Sequence, residues 1–146
     1  MLKKLIAFTA SLTILINSAA YADLAIIGHP DFDTGALNIK NVKKLFLGER
    51  KSFPNGLHAT PVNHVAGSPD RIQFFSSVLG MSESGHRRNW KRKISVNAGS
   101  FPVELGSHNE VLRTIAKTPG GISYIDANKV DDTVKVLLTI SVTNNQ

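Results

Sequence analysis

The turn Ala66-Gly67-Ser68-Pro69-Asp70-Arg71 has residue types and spacing suited to holding a small oxyanion. Ser68 is placed to cap a helix. Pro69 falls in the first turn, where its missing N–H costs nothing, and Asp70 faces the positive end of the helix dipole. A helix start leaves backbone N–H groups without intrahelical acceptors, and those donors together with the dipole attract anions. Gly67 permits close backbone approach and Ser68 adds a hydroxyl. Arg71, if it curls back over the turn, adds charge-assisted hydrogen bonds. His64 stands just before the turn. The plain alternative is that Ser68 is a helix cap and nothing more. Ser107 and Asn109 form a second donor set at the start of the capping box Ser107-His108-Asn109-Glu110, where the local role already accounts for both.

A different chemistry lies in Arg87, Arg88, Lys91, Arg92 and Lys93, which bracket Trp90 behind His86. A basic helix with an aromatic can hold nucleic acid, an acidic glycan or an anionic lipid, and so forms a candidate interaction patch. The plain alternative is a solvated face, with Trp90 in the core and the cations favouring the helix C-terminus. Asp33-Thr34-Gly35-Ala36 matches the D-T-G-A run of aspartic proteases. That chemistry needs two carboxylates sharing a proton, so one copy would work only in a homodimer. The run follows the turn-like His29-Pro30-Asp31-Phe32 where an apolar strand is required, which marks it as coincidence. His29, His58, His64, His86 and His108 have no metal-ligand spacing, so neither metal nor cofactor is expected. No catalytic residue is assigned.

The elements that must position these residues follow from periodicity and punctuation. Residues 24–27 read as a buried strand closed by Gly28-His29-Pro30. Asn38 caps a helix with Ile39, Val42, Leu45 and Phe46 on one face and Gly48 as its stop. Residues 59–65 fit a second strand. The helix from Ser68 carries Ile72, Phe75 and Leu79 as its stripe, with Phe74 and Val78 beside them, and ends at Gly80. Ser82 caps another helix through Trp90 and Ile94, and the capping-box helix buries Val111, Leu112, Ile115 and Ala116. Thr118-Pro119-Gly120-Gly121 breaks it and leads into a strand at 122–125. The alternation of Val134, Val136, Leu138, Ile140 and Val142 predicts a last strand, and Thr143 onward reads as a frayed polar tail. Strands interleaved with helices predict an α/β domain with an at least partly parallel sheet, whose carboxyl edge is where ligands bind.

Among 146 residues there is no cysteine, which excludes disulfide scaffolds, zinc fingers, iron–sulfur ligation and thiol catalysis. Lys3 and Lys4, an apolar run over 5–16 and Ala20-Tyr21-Ala22 have the layout of a cleaved export signal. The reading is therefore a signal peptide at 1–22 and one domain at 23–146. Without Lys3 and Lys4, 15 of the 17 Lys and Arg remain against 11 acids, a net charge of +4. The mature chain has no segment apolar enough to span a bilayer, and export argues against nucleic acid as a partner.

Several stretches resemble, in order, the phosphate-binding periplasmic proteins. Lys44-Leu45-Phe46-Leu47-Gly48-Glu49-Arg50 with Phe53-Pro54-Asn55-Gly56 is similar to that family's "IFLG-basic…W-P-x-G" stretch. Pro61-Val62-Asn63, Ser68, Phe74, Leu79-Gly80 and Trp90 continue the match. Thr118-Pro119-Gly120-Gly121-Ile122-Ser123-Tyr124 resembles the "T-P-G-A-I-G-Y" turn and strand. The resemblance covers about residues 24–138 and is strongest to small single-lobe members, labelled phosphate ABC transporter substrate-binding proteins. It implies a single periplasmic-binding-protein-like α/β lobe, periplasmic location and recognition of phosphate or another small oxyanion without enzymatic chemistry. The family's turn reads "R-x-x-G-S-G-T"; here His64 replaces the Arg, Pro69 the Gly and Asp70 the Thr. A permanent charge and an N–H are thereby lost, and a carboxylate is gained. Full-size members close two lobes over the anion, so one lobe implies a half-open ligand, a homodimer, or docking on an envelope protein. The last alternative needs no ligand and makes the chain an interaction or sensor-accessory module.

Overall fold

A computed structural model describes residues 22–33 and 37–142. The expected signal segment up to residue 21, Thr34-Gly35-Ala36 of the D-T-G-A run and the tail from Thr143 lie outside the described residues. Among the described residues the strands and α-helices follow the order β1 (Leu24–Gly28), α1 (Ile39–Phe46), β2 (Thr60–His64), α2 (Pro69–Phe74), α3 (Glu83–Ser95), β3 (Val103–Leu105), α4 (His108–Lys117), β4 (Gly121–Asp126) and β5 (Lys135–Ile140). The strands form one sheet in the order β3-β2-β4-β1-β5. β2 pairs parallel with β3 and β4, while β1 pairs antiparallel with β4 and β5. Four strands therefore run one way and only β1 opposes them, so the α/β lobe with a mostly parallel sheet is present.

The helices form where the caps predicted. Asn38, Ser68, Ser82 and Ser107 each accept a backbone N–H from three residues on, satisfying one orphan donor per helix. One apolar cluster packs α1 and α2 onto one sheet face around Phe46, Phe74 and Tyr124; the other packs α4 onto the opposite face through Val111, Leu112 and Ile115. The Tyr124 ring stacks on Phe74 with centroids 3.9 Å apart.

Three expectations need correction. The chain from Phe75 to Leu79 widens into a π-helical turn. The extra residue per turn rotates the apolar stripe, so Phe74, Phe75, Val78 and Leu79 are buried while Ile72 is 55% exposed. β3 has only three residues, too few for an alternating pattern to declare it. The last strand carries a register shift opposite Ile26 and Ile27, which breaks strict alternation: Val136 is exposed while Leu137 and Leu138 pack on the core.

Candidate functional site

The carboxyl ends of β2, β3 and β4 bring the two expected donor sets together. His64 ends β2 and the Gly67-Ser68 turn leads into α2; Leu105 ends β3 and Ser107 opens α4; Asp126 ends β4. Asp70 ties all three ends together. Its Oδ2 lies 2.8 Å from His108 Nε2 and accepts the Asp126 N–H at 3.0 Å. The two helix N-termini thus converge on one side-chain pair that no local sequence signal specified.

The turn itself is open. Gly67 has φ +85, a left-handed conformation suited to glycine, and a Cβ there would meet nothing within 4 Å. Ser68 accepts the Arg71 N–H at 3.3 Å, and Ser107 accepts the Glu110 N–H at 3.2 Å, so both hydroxyls cap their helices. Glu110 reaches back to the Gly106 N–H at 3.0 Å. Ser107 and Asn109 are exposed beside the turn, and Ser68 is half-buried.

Two expected site residues face elsewhere. Arg71 does not curl over the turn. Its Nε and Nη2 donate to both oxygens of Glu83 at 2.7 and 2.8 Å, and its Nη1 donates to Glu104 and to the His64 carbonyl, both at 2.7 Å. The guanidinium also lies 4.7 Å from the Phe75 ring centroid. Burial opposes the charge, and the hydrogen bonds to Glu83 and Glu104 outweigh it, holding the pKa of Arg71 above its ordinary range. Arg71 locks β2, α2, α3 and β3 together, and its charge is already neutralised there.

His64 is buried, with Nε2 2.6 Å from the Tyr124 carbonyl. A carbonyl only accepts, so Nε2 carries the proton and the tautomer is fixed. Burial pushes its pKa below the usual histidine value. The Tyr124 hydroxyl donates to Asn63 Oδ1 at 2.9 Å and lies 3.4 Å from the His64 N–H. Burial raises the Tyr124 pKa and keeps the phenol protonated. Asn63 Nδ2 is buried with no hydrogen-bond partner among the described residues.

Trp90 is not part of the expected interaction surface. It is 5% exposed, packs against Gly48 and Gly99, and donates its indole N–H to His86 Nε2 at 3.1 Å. Arg87, Arg88, Lys91 and Arg92 stay exposed, while Lys93 is half-buried and reaches the Gly48 carbonyl at 3.5 Å. Sequence reading missed Glu83 and Glu104 as partners of Arg71, and Tyr124 as the partner of His64 and Asn63, because these separations of 12 to 61 residues follow no helix or strand period. Among the described residues, no group of three His, Cys, Asp or Glu is arranged to hold a metal ion.

No family model matches the sequence. The fold does match solved structures. One is a Clostridium perfringens protein assigned as a phosphate ABC transporter substrate-binding protein and solved with bound phosphate, with TM-score 0.63 and 17% identity over 80% of this chain and 44% of that one. An ABC-type phosphate transport receptor of Vibrio cholerae matches with TM-score 0.59 and 16% identity over 80% of this chain and 46% of that one. PstS of Borrelia burgdorferi matches with TM-score 0.60 and 16% identity over 87% of this chain and 49% of that one. The chain spans less than half the length of each of these proteins. The shared property is the fold of one lobe.

Proposed function

We propose that this chain is an exported, non-enzymatic solute-binding lobe, delivered to the periplasm by a cleaved segment at 1–22, that takes phosphate or a similar protonated oxyanion at the Gly67-Ser68 turn. The observation that carries the reading is the convergence of the Ser68 and Ser107 helix starts at the carboxyl edge of the sheet, joined by Asp70 and His108. Both ends present first-turn N–H groups to the same edge, and the dipoles of both helices point there. The structural likeness to phosphate-transport receptors supports the ligand class.

Asp70 shapes the selectivity. Its carboxylate repels a fully ionised anion but accepts a hydrogen bond from a protonated one, so hydrogen phosphate is favoured over sulfate. With the Arg71 charge neutralised by Glu83 and Glu104, binding rests on backbone donors and the Ser68 hydroxyl, which predicts modest affinity. The lobe leaves this edge open, so closure requires a second surface, either another copy of the chain or an envelope protein.

Titration calorimetry of the dialysed protein with phosphate, sulfate and small carboxylates tests the reading. The expected outcome is a saturable heat with phosphate, weaker with sulfate, and weakened about ten-fold by Ser68→Ala, or about 1.4 kcal/mol. One anion per two chains would identify a second copy as the closing surface. A flat titration with folded protein overturns anion recognition. It would favour an interaction module of the same fold, a reading that the commitment of Arg71 to Glu83 and Glu104 supports.

A further inference from the structure

The charge of this chain is unevenly placed. Residues 38–101 carry 11 Lys and Arg against three acids, whereas residues 102–146 carry four against five. α3 buries only His86 and Trp90 of its 13 residues. Arg87, Arg88, Lys91 and Arg92 on α3, and Arg50 and Lys51 on the loop after α1, are exposed and form no ion pair among the described residues. Arg71 in the same layer is fully paired, so the structure leaves the outer cations unneutralised while compensating the inner one.

Between these cations runs an apolar ridge. The segment connecting α3 to β3 leaves Val96 68% and Phe101 48% exposed, and Val103 at the start of β3 is 54% exposed. On one side, Phe101 and Pro102 share a cleft of about 470 Å³ with Arg87 and Lys91. On the other, Phe101 and Val103 share a cleft of about 350 Å³ with Arg50 and Lys51. The ridge is braced from beneath: Gly99 abuts the Trp90 ring and Phe101 lies 6.4 Å from it, so the buried indole supports the surface without forming part of it.

We propose that this ridge and its flanking cations form a docking face for an anionic lipid bilayer. Charge complementarity selects the occupant. Cations on both sides of the ridge match a laterally extended negative surface, and apolar side chains at its crest can enter the headgroup boundary while the long Arg and Lys stems reach the phosphates. The cleft that holds Arg87 and Lys91 is also lined by Ala66, Arg71, Glu83 and Glu104, so one wall adjoins the Ser68 turn. The two carboxylates there are paired with Arg71, and competition by inorganic phosphate separates docking on the ridge from headgroup binding at the turn.

The test is co-sedimentation of the purified protein, its N-terminus read by mass spectrometry, with vesicles of phosphatidylcholine alone and with one-third phosphatidylglycerol. The readout is the ratio of anionic to neutral partition, which stays informative even where the apolar run at 5–16 remains attached. The expected ratio is well above one, collapses in half-molar salt, and falls by about ten-fold or more in Arg87→Gln/Arg88→Gln/Lys91→Gln/Arg92→Gln. Val96→Ser/Phe101→Ser lowers partition less and keeps the salt dependence, and Arg113→Gln/Lys117→Gln on α4 leaves the ratio unchanged. Inorganic phosphate at constant ionic strength does not displace the protein. A ratio near one that the quadruple variant leaves unchanged overturns the proposal. So does displacement by phosphate, which would place the headgroup at the Ser68 turn, or retention on an immobilised polyanion without vesicle binding.

Discussion

Arg71 and the quartet Arg87, Arg88, Lys91 and Arg92 belong to one helical layer and use the same cationic chemistry in opposite ways. Arg71 is buried and spends its donors on Glu83, Glu104 and the His64 carbonyl. The quartet stands in solvent with no ion pair among the described residues. A buried guanidinium must be compensated or the desolvation penalty is prohibitive, while an exposed one costs little and remains free for a partner. The position of a cation relative to the core decides which role it takes.

The sharpest way to break this contrast is Arg71→Met. Removing one member of a buried ion-pair network leaves two carboxylates crowded together, and the expected loss is about 3 kcal/mol of unfolding free energy. That is the low end for such networks, because the side chains of Glu83 and Glu104 are 34% and 43% exposed. Denaturant unfolding checks it; a loss within experimental scatter would show that Arg71 locks nothing.

Acidification probes the same corner through its histidines. Burial lowers the pKa of His64 and of His86 from the ordinary 6.5, and Arg71 adds to the lowering in both. The unfolded chain therefore binds more protons than the fold as pH drops below about 6.5, so stability is highest above that value and declines below it. Melting temperatures across pH 5 to 8 should fall on the acid side, and the fall should shrink in His64→Asn/His86→Gln. A flat profile would show that neither ring is held neutral.

The smallest expected effect completes the contrast. Arg88→Gln or Lys91→Gln should change stability by no more than about 0.5 kcal/mol, as for exposed side chains without partners. A larger loss from either would place it in the architecture and weaken the case for an outward-facing surface.

The turn at Ser68 was partly legible. Ser68 and Ser107 declare themselves by type and by spacing to Asp70, Arg71 and Glu110, because capping is a local event spanning three residues. The buried environment of Trp90 was legible only as the plainer of two readings, since a basic stretch around an aromatic has the same sequence whether the ring points in or out. The roles of His64 and Arg71 were not legible. Their partners Tyr124, Glu83 and Glu104 sit 60, 12 and 33 residues away.

Caps, glycine stops and apolar periodicity determined from sequence alone that this would be an α/β domain, because each acts within a turn or two of the chain. Tertiary structure alone decided that β1 runs against its neighbours, that a π-helical turn rotates Ile72 outward, and that Asp70 and His108, 38 residues apart, join two helix starts. Those outcomes depend on which side chains meet across the sheet. Pairings of that kind are settled by the burial and charge compensation of the whole domain, which no local spacing encodes.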